Sequence, residues 1–181
     1  DSIGQTMPTH PRAAYIEGKR TGESLIESMR LQQYDAKSVR ISLCYGPGTR
    51  KSDSRVLNQF IEQSLTRSEI CLQDQGLAKR CYGYALDITE MILNVKMWGR
   101  QSVYNIGGES ETTIRELAEL VAKLTKTTVE LPFVDETVPG APQSVKVSLK
   151  RYNDEFGRMN FVSLEEGIIR TIEFQRSLYV S

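Results

Sequence analysis

The sequence lacks the residues that build most metal and disulfide sites. Its 181 residues include a single histidine, His10, and three cysteines, Cys44, Cys71 and Cys81, which form no C-x-x-C pair. A structural zinc site takes about four Cys or His ligands at close spacing, and a disulfide framework needs paired cysteines. We therefore expect no metal and no disulfide scaffold, and three unpaired thiols fit a reducing, cytoplasmic setting.

The sequence also lacks an excess of either charge and a long apolar run. Lys plus Arg and Asp plus Glu both total 23, so the net charge is zero and neither nucleic acid nor a membrane surface is favoured as a partner. No apolar run approaches the roughly 20 residues that cross a bilayer, and the opening DSIGQTMPTHPR lacks the basic and apolar parts of a secretory signal. The first residue is Asp1 rather than methionine, which suggests a processed or excised piece.

Apolar residues recur at helical spacing in several segments. Predicted helices cover residues 13–34, 55–65, 85–97, 113–124, 149–156 and 164–174. Thr113-Ile-Arg-Glu116 spells a capping box and makes the fourth helix the most secure. Gly18 and Gly22 lower the helix propensity of the first predicted helix. Close approach of another helix or of a ligand would explain the two glycines.

Short β-rich runs alternate with these helices. Residues 38–45, 70–72 and 127–134 are predicted strands, and residues 135–147 are a predicted loop broken by Pro and Gly. The first strand ends at Gly46-Pro47-Gly48. Because ligands gather beyond the carboxyl ends of strands in open α/β sheets, this loop is a predicted wall of a binding site.

The spacing of Tyr15 and Lys19 places a phenol and an ammonium on one helical face. A phenol with an ordinary pKa near 10 is a poor base at neutral pH, but a nearby positive charge favours the phenolate. Such a pair can transfer protons. Taken alone, Y-x-x-x-K more often marks a surface or core tyrosine with an unrelated lysine.

Four further segments follow this pair in order. After YIEGKR at 15–20 come RISLCYGPGTR at 40–50, RVLNQFIEQSL at 55–65, KRCYGYALD at 79–87 and YNIGG at 104–108. Together they resemble the extended short-chain dehydrogenase/reductase superfamily of NAD-dependent nucleotide-sugar epimerases, dehydratases and decarboxylases. The spelling is most similar to the UDP-glucuronate decarboxylases. The resemblance covers nearly the whole chain.

The resemblance implies an α/β fold made of the carboxyl-terminal half of a Rossmann-like parallel sheet domain and a small α/β substrate-binding lobe. Residues 1–50 would be the remainder of the dinucleotide-binding domain. Residues 51–181 would be mainly the substrate lobe, with segments near 80–110 returning to the Rossmann sheet.

The resemblance also assigns roles to individual residues. Tyr15 would be the catalytic acid/base, and Lys19 would lower its pKa and bind the nicotinamide ribose, so that both are catalytic and cofactor-binding residues for NAD. Arg80 would grip the nucleotide diphosphate. Arg55 and Val56 would open the helix that lines the nucleotide pocket, and Arg55 would be a secondary contact to phosphate or to sugar. The alternatives are a solvated helix lysine for Lys19 and a salt bridge at the rim for Arg80.

Other positions match the resemblance less closely. Asp87, in the first turn of a predicted helix, is expected to hold that helix in place. Tyr82 and Tyr84 lie between pocket and core, and we expect at least one in the core. Leu43 replaces an asparagine that contacts substrate in the family, and Gln73 replaces an aromatic residue. Gln143-Ser-Val-Lys146 stands where the closest branch spells R-x-P-D.

The family's glycine-rich pyrophosphate turn is missing from the sequence, since neither Gly46-x-Gly48 nor Gly107-Gly108 opens a βαβ unit. We therefore expect the carboxyl-terminal portion of a longer enzyme, which neither binds NAD well nor turns over by itself. The expected ligand is a nucleotide sugar carrying UDP or dTDP, and the expected assembly is a homodimer formed through the tyrosine helix. The alternative is a non-catalytic binding or scaffold protein derived from such an enzyme.

Overall fold

A computed structural model describes residue 7, residues 9–133 and residues 143–179, and within these ranges it contains six helices and seven strands. The helices are α1 (Ala13–Leu31), α2 (Val56–Thr66), α3 (Ala85–Trp98), α4 (Ile114–Thr125), α5 (Lys150–Phe156) and α6 (Leu164–Tyr179). The strands are β1 (Ser38–Ile41), β2 (Leu43–Tyr45), β3 (Glu69–Cys71), β4 (Lys79–Tyr84), β5 (Val103–Ile106), β6 (Ser110–Thr113) and β7 (Thr128–Glu130).

The strands form three small sheets. Strands β1 and β5 are parallel, with Ser38 opposite Val103, and β3 pairs in parallel with β7. In the third sheet β4 lies in the centre, parallel to β2 and antiparallel to β6. Parallel strands joined through helices confirm the predicted α/β fold class.

The β2–β4–β6 sheet has a hydrophobic cluster on each face. Tyr82 and Tyr84 belong to the first cluster, which includes residues of α2, α4 and α6. Cys44 packs on the second cluster, which contains residues of α3, α5 and β5. Both clusters combine residues from before and after position 50, and the division into domains stays a prediction.

Glycines allow the carboxyl end of β5 to lie against this central sheet. A Cβ on Gly108 would lie 2.2 Å from the carbonyl oxygen of Tyr82, and one on Gly107 would lie 2.2 Å from the hydroxyl of Ser42. No real side chain tolerates such distances, so glycine is needed for this close approach. The YNIGG segment thus joins the two sheets.

The predicted helices agree with the structure to within a few residues at most ends, while the strands differ more. The single strand predicted at 38–45 is two strands that pair with different partners, and α6 extends to Tyr179. Strands β4, β5 and β6 were not predicted as strands. Residue 134 of the predicted strand and residues 135–142 of the predicted loop at 135–147 lie outside the described residues, while Ser144 forms a parallel bridge with Lys79.

Helix α1 packs sparsely on the described residues. Ala13 is its single buried residue there, while Leu25 and Met29 are 61% and 42% exposed. Its tie to β1 is an ion pair in which Arg40 donates to Glu23 at 2.6 and 2.7 Å. A Cβ on Gly18 or Gly22 would meet no atom within 4 Å, so the neighbour predicted for these glycines is not among the described residues. No helix in the described ranges combines the length and apolar character of a membrane span.

Candidate functional site

Tyr15 and Lys19 lie on the same face of α1, one turn apart. The Lys19 ammonium nitrogen is 5.5 Å from the centroid of the Tyr15 ring, and the Arg12 guanidinium carbon is also 5.5 Å from it. The ring is 60% exposed, so a ligand can reach it. The predicted geometry of the pair is therefore observed, while the role of the pair stays a prediction.

Glu17 and Arg20 lie in the same two turns and form an exposed ion pair of 3.3 Å. This contact pairs the two side chains at the helix surface, as expected for a solvated helix face.

Arg55 stands immediately before α2 and is held by Asp53. Its Nε and Nη2 atoms donate to the two carboxylate oxygens of Asp53 at 2.9 and 2.7 Å, and its side chain is 57% exposed. These hydrogen bonds hold the pKa of Asp53 well below its ordinary value. Val56 is the first residue of α2 and is 38% exposed. The start of α2 therefore presents a fixed guanidinium beside an apolar side chain.

Arg80 lies on β4 and is half-buried. Its Nη1 donates to the carbonyl of Lys79 at 2.7 Å. Because side chains alternate along a strand, Arg80 shares a face with Tyr82 and Tyr84. Burial raises the pKa of Tyr82 to about 12, although the positive charge of Arg80 opposes the shift. Tyr82 is therefore a neutral phenol at physiological pH.

Three tyrosines pack at the carboxyl ends of β2 and β4. The Tyr45 ring meets Tyr82 and Tyr84 edge-on, with centroids 6.2 and 5.7 Å apart. All three are buried, which agrees with the expectation that at least one of the β4 tyrosines lies in the core. Burial also raises the pKa of Tyr45 above its ordinary range. The three rings therefore pack as part of the hydrophobic core beside the sheet.

The positions that depart from the family pattern are exposed or paired. Leu43 is 44% exposed opposite Tyr82, and Gln73 is exposed. Lys146 lies 3.7 Å from Glu111 across the end of β4. Leu43 thus presents an apolar side chain, and the Lys146 ammonium is paired with a carboxylate.

Asp87 occupies the first turn of α3, as predicted, and accepts a hydrogen bond of 3.1 Å from the backbone N–H of Val162. This partner was not predicted, because it lies 75 residues away in the segment that leads into α6. Burial raises the pKa of Asp87, which is 7% exposed. Its role is to hold the end of the chain against α3.

Sequence reasoning also missed Asn58 and Gln175. Both are buried, and Gln175 donates to Asn58 Oδ1 at 2.9 Å. The sequence did contain a signal, because each is a polar residue on an otherwise apolar helical face. Asn58 lies between Leu57 and Phe60, and Gln175 follows Ile172. The spacing of residues does not show, however, that α2 and α6 bring these two side chains into contact.

The described residues bring the predicted site residues together only in part. Tyr15 lies with Lys19 and Arg55 with Val56, but α1 makes no extensive contact with α2 or β4. A cavity of about 800 Å³, lined in part by Trp98, Arg100 and Lys150, contains none of the predicted site residues. The described residues therefore do not form a closed pocket that contains all the predicted site residues.

The residues present fit one part of a dinucleotide. A phenol and an ammonium on one exposed face suit the hydroxyls of a nicotinamide ribose. Gly107 and Gly108 pack against Ser42 and Tyr82, and so do not form a pyrophosphate cradle. Among the described residues no group of three His, Cys, Asp or Glu side chains could hold a metal ion.

Comparison with known proteins identifies the family. Residues 2–107 match the model of the NAD dependent epimerase/dehydratase family. UDP-glucuronic acid decarboxylase 6 of Arabidopsis thaliana is 32% identical over 166 residues, which are 91% of this chain and 48% of that protein. The chain thus spans about half the length of the curated relatives it matches.

Solved structures show the same fold. UDP-glucose 4-epimerase of Thermotoga maritima with UDP-glucose has a TM-score of 0.78 at 25% identity, covering 97% of this chain and 59% of that one. dTDP-glucose 4,6-dehydratase of Bacillus anthracis in complex with NAD has a TM-score of 0.80 at 22% identity, covering 98% and 57%. The motifs, the fold and the matched residues agree, and the chain belongs to the NAD dependent epimerase/dehydratase family.

Proposed function

We propose that residues 1–181 form part of an NAD-dependent enzyme that modifies a nucleotide-activated sugar by epimerisation, dehydration or decarboxylation through a keto sugar. The observation that carries this proposal is the Tyr15 and Lys19 pair on one exposed face of α1 in a chain of this family. UDP-glucuronate is the first substrate to test, since the Arabidopsis relative is a UDP-glucuronic acid decarboxylase. A dTDP sugar is the second.

Tyr15 moves the proton in this proposal. Its phenolate accepts the proton of a sugar hydroxyl while the hydrogen on the same carbon leaves as hydride, which turns the alcohol into a ketone. NAD, when bound, supplies the hydride acceptor. Lys19 places its positive charge beside the phenol and binds the ribose hydroxyls. When the ketone is reduced again, Tyr15 returns the proton to the oxygen.

Arg55 and Arg80 bind the diphosphate in this proposal. A guanidinium offers a rigid fork of N–H donors that matches phosphate oxygens, and it keeps its charge at any physiological pH. Arg55 is already oriented by Asp53 and exposes more than half of its side chain. Val56 provides an apolar contact next to it.

The proposal includes a homodimer and a cytoplasmic setting. Exposed Leu25 and Met29, together with the open space beside Gly18 and Gly22, support packing of α1 against a second copy. Cys44, Cys71 and Cys81 are all free thiols, which suits a reducing compartment. Light scattering of the purified protein tests the dimer.

The decisive experiment uses the longest protein that the gene encodes. The coding sequence upstream of Asp1 should contain a glycine-rich strand–turn–helix segment, and an intact-mass measurement shows whether it is retained. With NAD and UDP-glucuronate that protein should produce a new UDP-sugar, with release of carbon dioxide if it is a decarboxylase. Tyr15→Phe should abolish turnover while binding of UDP is kept.

Two results would contradict the proposal. The first is an upstream sequence without any dinucleotide-binding turn. The second is a protein that binds neither UDP- nor dTDP-sugars but captures a protein partner through α1, which is the outcome that a non-catalytic scaffold predicts.

A further inference from the structure

The loop between β2 and α2 delivers Arg55 to the site and is made almost entirely of polar residues. Gly46, Gly48 and Ser52 adopt positive φ angles of 152°, 96° and 59°. Positive φ is costly for a residue with a side chain, so Ser52 needs support from its surroundings. Contacts of the loop with neighbouring segments provide this support.

Asp53 fixes the guanidinium directly. Its carboxylate accepts from the backbone N–H of Arg55 at 3.0 Å, from Arg55 Nε and Nη2, and from Asn58 Nδ2 at 3.0 Å. Within the described part of the chain, Nη1 of Arg55 has no bonding partner. One edge of the guanidinium is therefore held by Asp53 and the other is left for a ligand.

Asn58 and Gln175 continue this arrangement into the core. A carboxylate only accepts hydrogen bonds, so Asn58 must turn its NH₂ group towards Asp53 and its Oδ1 towards Gln175. Gln175 must then present its own NH₂ group, which donates to Asn58 at 2.9 Å and to the hydroxyl of Thr49 at 3.1 Å. The charge of Asp53 thus fixes the orientation of both buried amides.

A buried glutamine at position 175 is unfavourable for folding. It is 2% exposed and follows Ile168 and Ile172 on the buried face of α6, where an apolar side chain would leave no amide of its own to pair. Its Oε1 has no hydrogen-bond partner in the described structure. Burying an amide oxygen without a partner is unfavourable, so the residue is not explained by stability alone.

A second contact from α6 reaches the same loop. Tyr179, one turn after Gln175, accepts a hydrogen bond of 2.6 Å from the backbone N–H of Ser52, and the Lys51 ammonium lies 5.4 Å from its ring centroid. The end of α6 therefore contacts the loop at Thr49 and at Ser52, shortly before Arg55.

We propose that Asp53, Asn58 and Gln175 are positioning residues that hold the free edge of Arg55 towards the diphosphate of the nucleotide sugar. This inference rests on the proposed function. Orienting the guanidinium in advance removes an entropic cost of binding, so the three residues strengthen recognition of the diphosphate and leave recognition of the nucleoside unchanged.

The test compares UDP with uridine on the chain of 181 residues by calorimetry. Gln175→Leu should weaken UDP binding about tenfold and leave uridine binding unchanged. Thermal stability should change little, because the unpaired Gln175 oxygen is removed while Asn58 Oδ1 loses its partner. Thr171→Val is the matched control: Thr171 is fully buried one turn earlier, and among the described residues its hydroxyl donates only to the Gly167 carbonyl of its own helix. It should bind both ligands as the wild type does.

A measurement without ligand distinguishes the positioning role of Asp53, Asn58 and Gln175 from the proposed function. The Arg55 Nε–H resonance in an NMR spectrum should exchange slowly with water in the wild type and in Thr171→Val, and faster in Gln175→Leu. Unchanged exchange, or an equal loss of UDP and uridine affinity, would overturn the positioning role. A wild-type chain that holds Arg55 rigidly but ignores UDP would instead count against the proposed function.

Discussion

The ammonium of Lys19 lies 5.5 Å from the ring centroid of Tyr15, and both side chains are exposed on one face of α1. Neither side chain belongs to a hydrophobic cluster of the described residues. Exposed residues without packing contacts contribute little to folding, so the effects of changing them report on chemistry instead of stability.

We predict that Tyr15→Phe and Lys19→Gln lower turnover of the longest encoded protein by about 10²- to 10⁴-fold, as expected for loss of an acid/base pair. The free energy of unfolding should stay within about 0.5 kcal/mol of the wild type. The rate of nucleotide-sugar conversion and a urea titration measure the two quantities. Arg20→Gln, which removes an exposed charge on the same helix, is the control and should retain the rate.

Local patterns in the sequence predicted the helices well because each signal lies within the element itself. The capping box of Thr113 and Glu116 forms as its spelling indicates, with Thr113 Oγ1 accepting from the Glu116 N–H at 3.0 Å. The spacing of Tyr15 and Lys19 likewise depends on helix geometry alone. Such features need no knowledge of the remainder of the fold.

Features that depend on distant partners could not be predicted. The strand at 38–45 divides at Ser42 because its two halves pair with β5 and β4, and no residue within the strand reports this change. Strand β4 was recognised as a motif but not as a strand, since Gly83 is explained by its close approach to Gly108 and Tyr82 by its packing against Tyr45. The same holds for Asp87 and Val162, and for Asn58 and Gln175, which meet across more than 70 residues.

Gly22→Ala should stabilise α1 in the isolated chain. A Cβ at this position meets nothing within 4 Å, and alanine is favoured over glycine inside a helix by about 1 kcal/mol. Because α1 packs sparsely, the effect should appear as roughly fivefold slower amide hydrogen exchange along α1. In the homodimer that we propose, the same methyl group would meet the second copy and weaken association. A variant that gains helix stability and still dimerises normally would exclude packing at Gly22.

Gly108→Ala should destabilise the fold by about 1–3 kcal/mol, because the new methyl group would overlap the backbone carbonyl of Tyr82 at 2.2 Å. The backbone cannot yield as a flexible side chain does. Urea unfolding measures the loss. Gly18→Ala adds the same methyl group in open space and should not destabilise the protein. Equal stability of the two variants would mean that β5 does not approach β4 as closely as described.

Thr113→Ala should cost about 1 kcal/mol, since the N–H of Glu116 loses the hydroxyl that caps α4. Thr113→Ser keeps the hydroxyl and should retain most of the stability. Chemical unfolding of the three proteins provides the comparison. A serine variant as unstable as the alanine variant would show that the methyl group of Thr113 matters more than its hydrogen bond.

The buried carboxyl of Asp87 should make stability depend on pH. Burial raises its pKa in the folded protein, so the folded state binds the proton more tightly than the unfolded chain does. By linkage, the stability gained from this group is complete below the unfolded pKa and is lost as the pH rises through the folded value.

We therefore predict that the free energy of unfolding of the wild type, measured relative to Asp87→Asn, increases as the pH is lowered from about 7 to about 4. Asparagine still accepts the hydrogen bond of Val162 and carries no charge, so at pH near 7 this variant should be at least as stable as the wild type. Asp87→Ala removes the acceptor and should cost about 1–3 kcal/mol. Urea titrations of the three proteins at both pH values separate the charge from the hydrogen bond. If the wild type gains nothing relative to Asp87→Asn on acidification, the carboxyl is hydrated, and Val162 is held by other contacts.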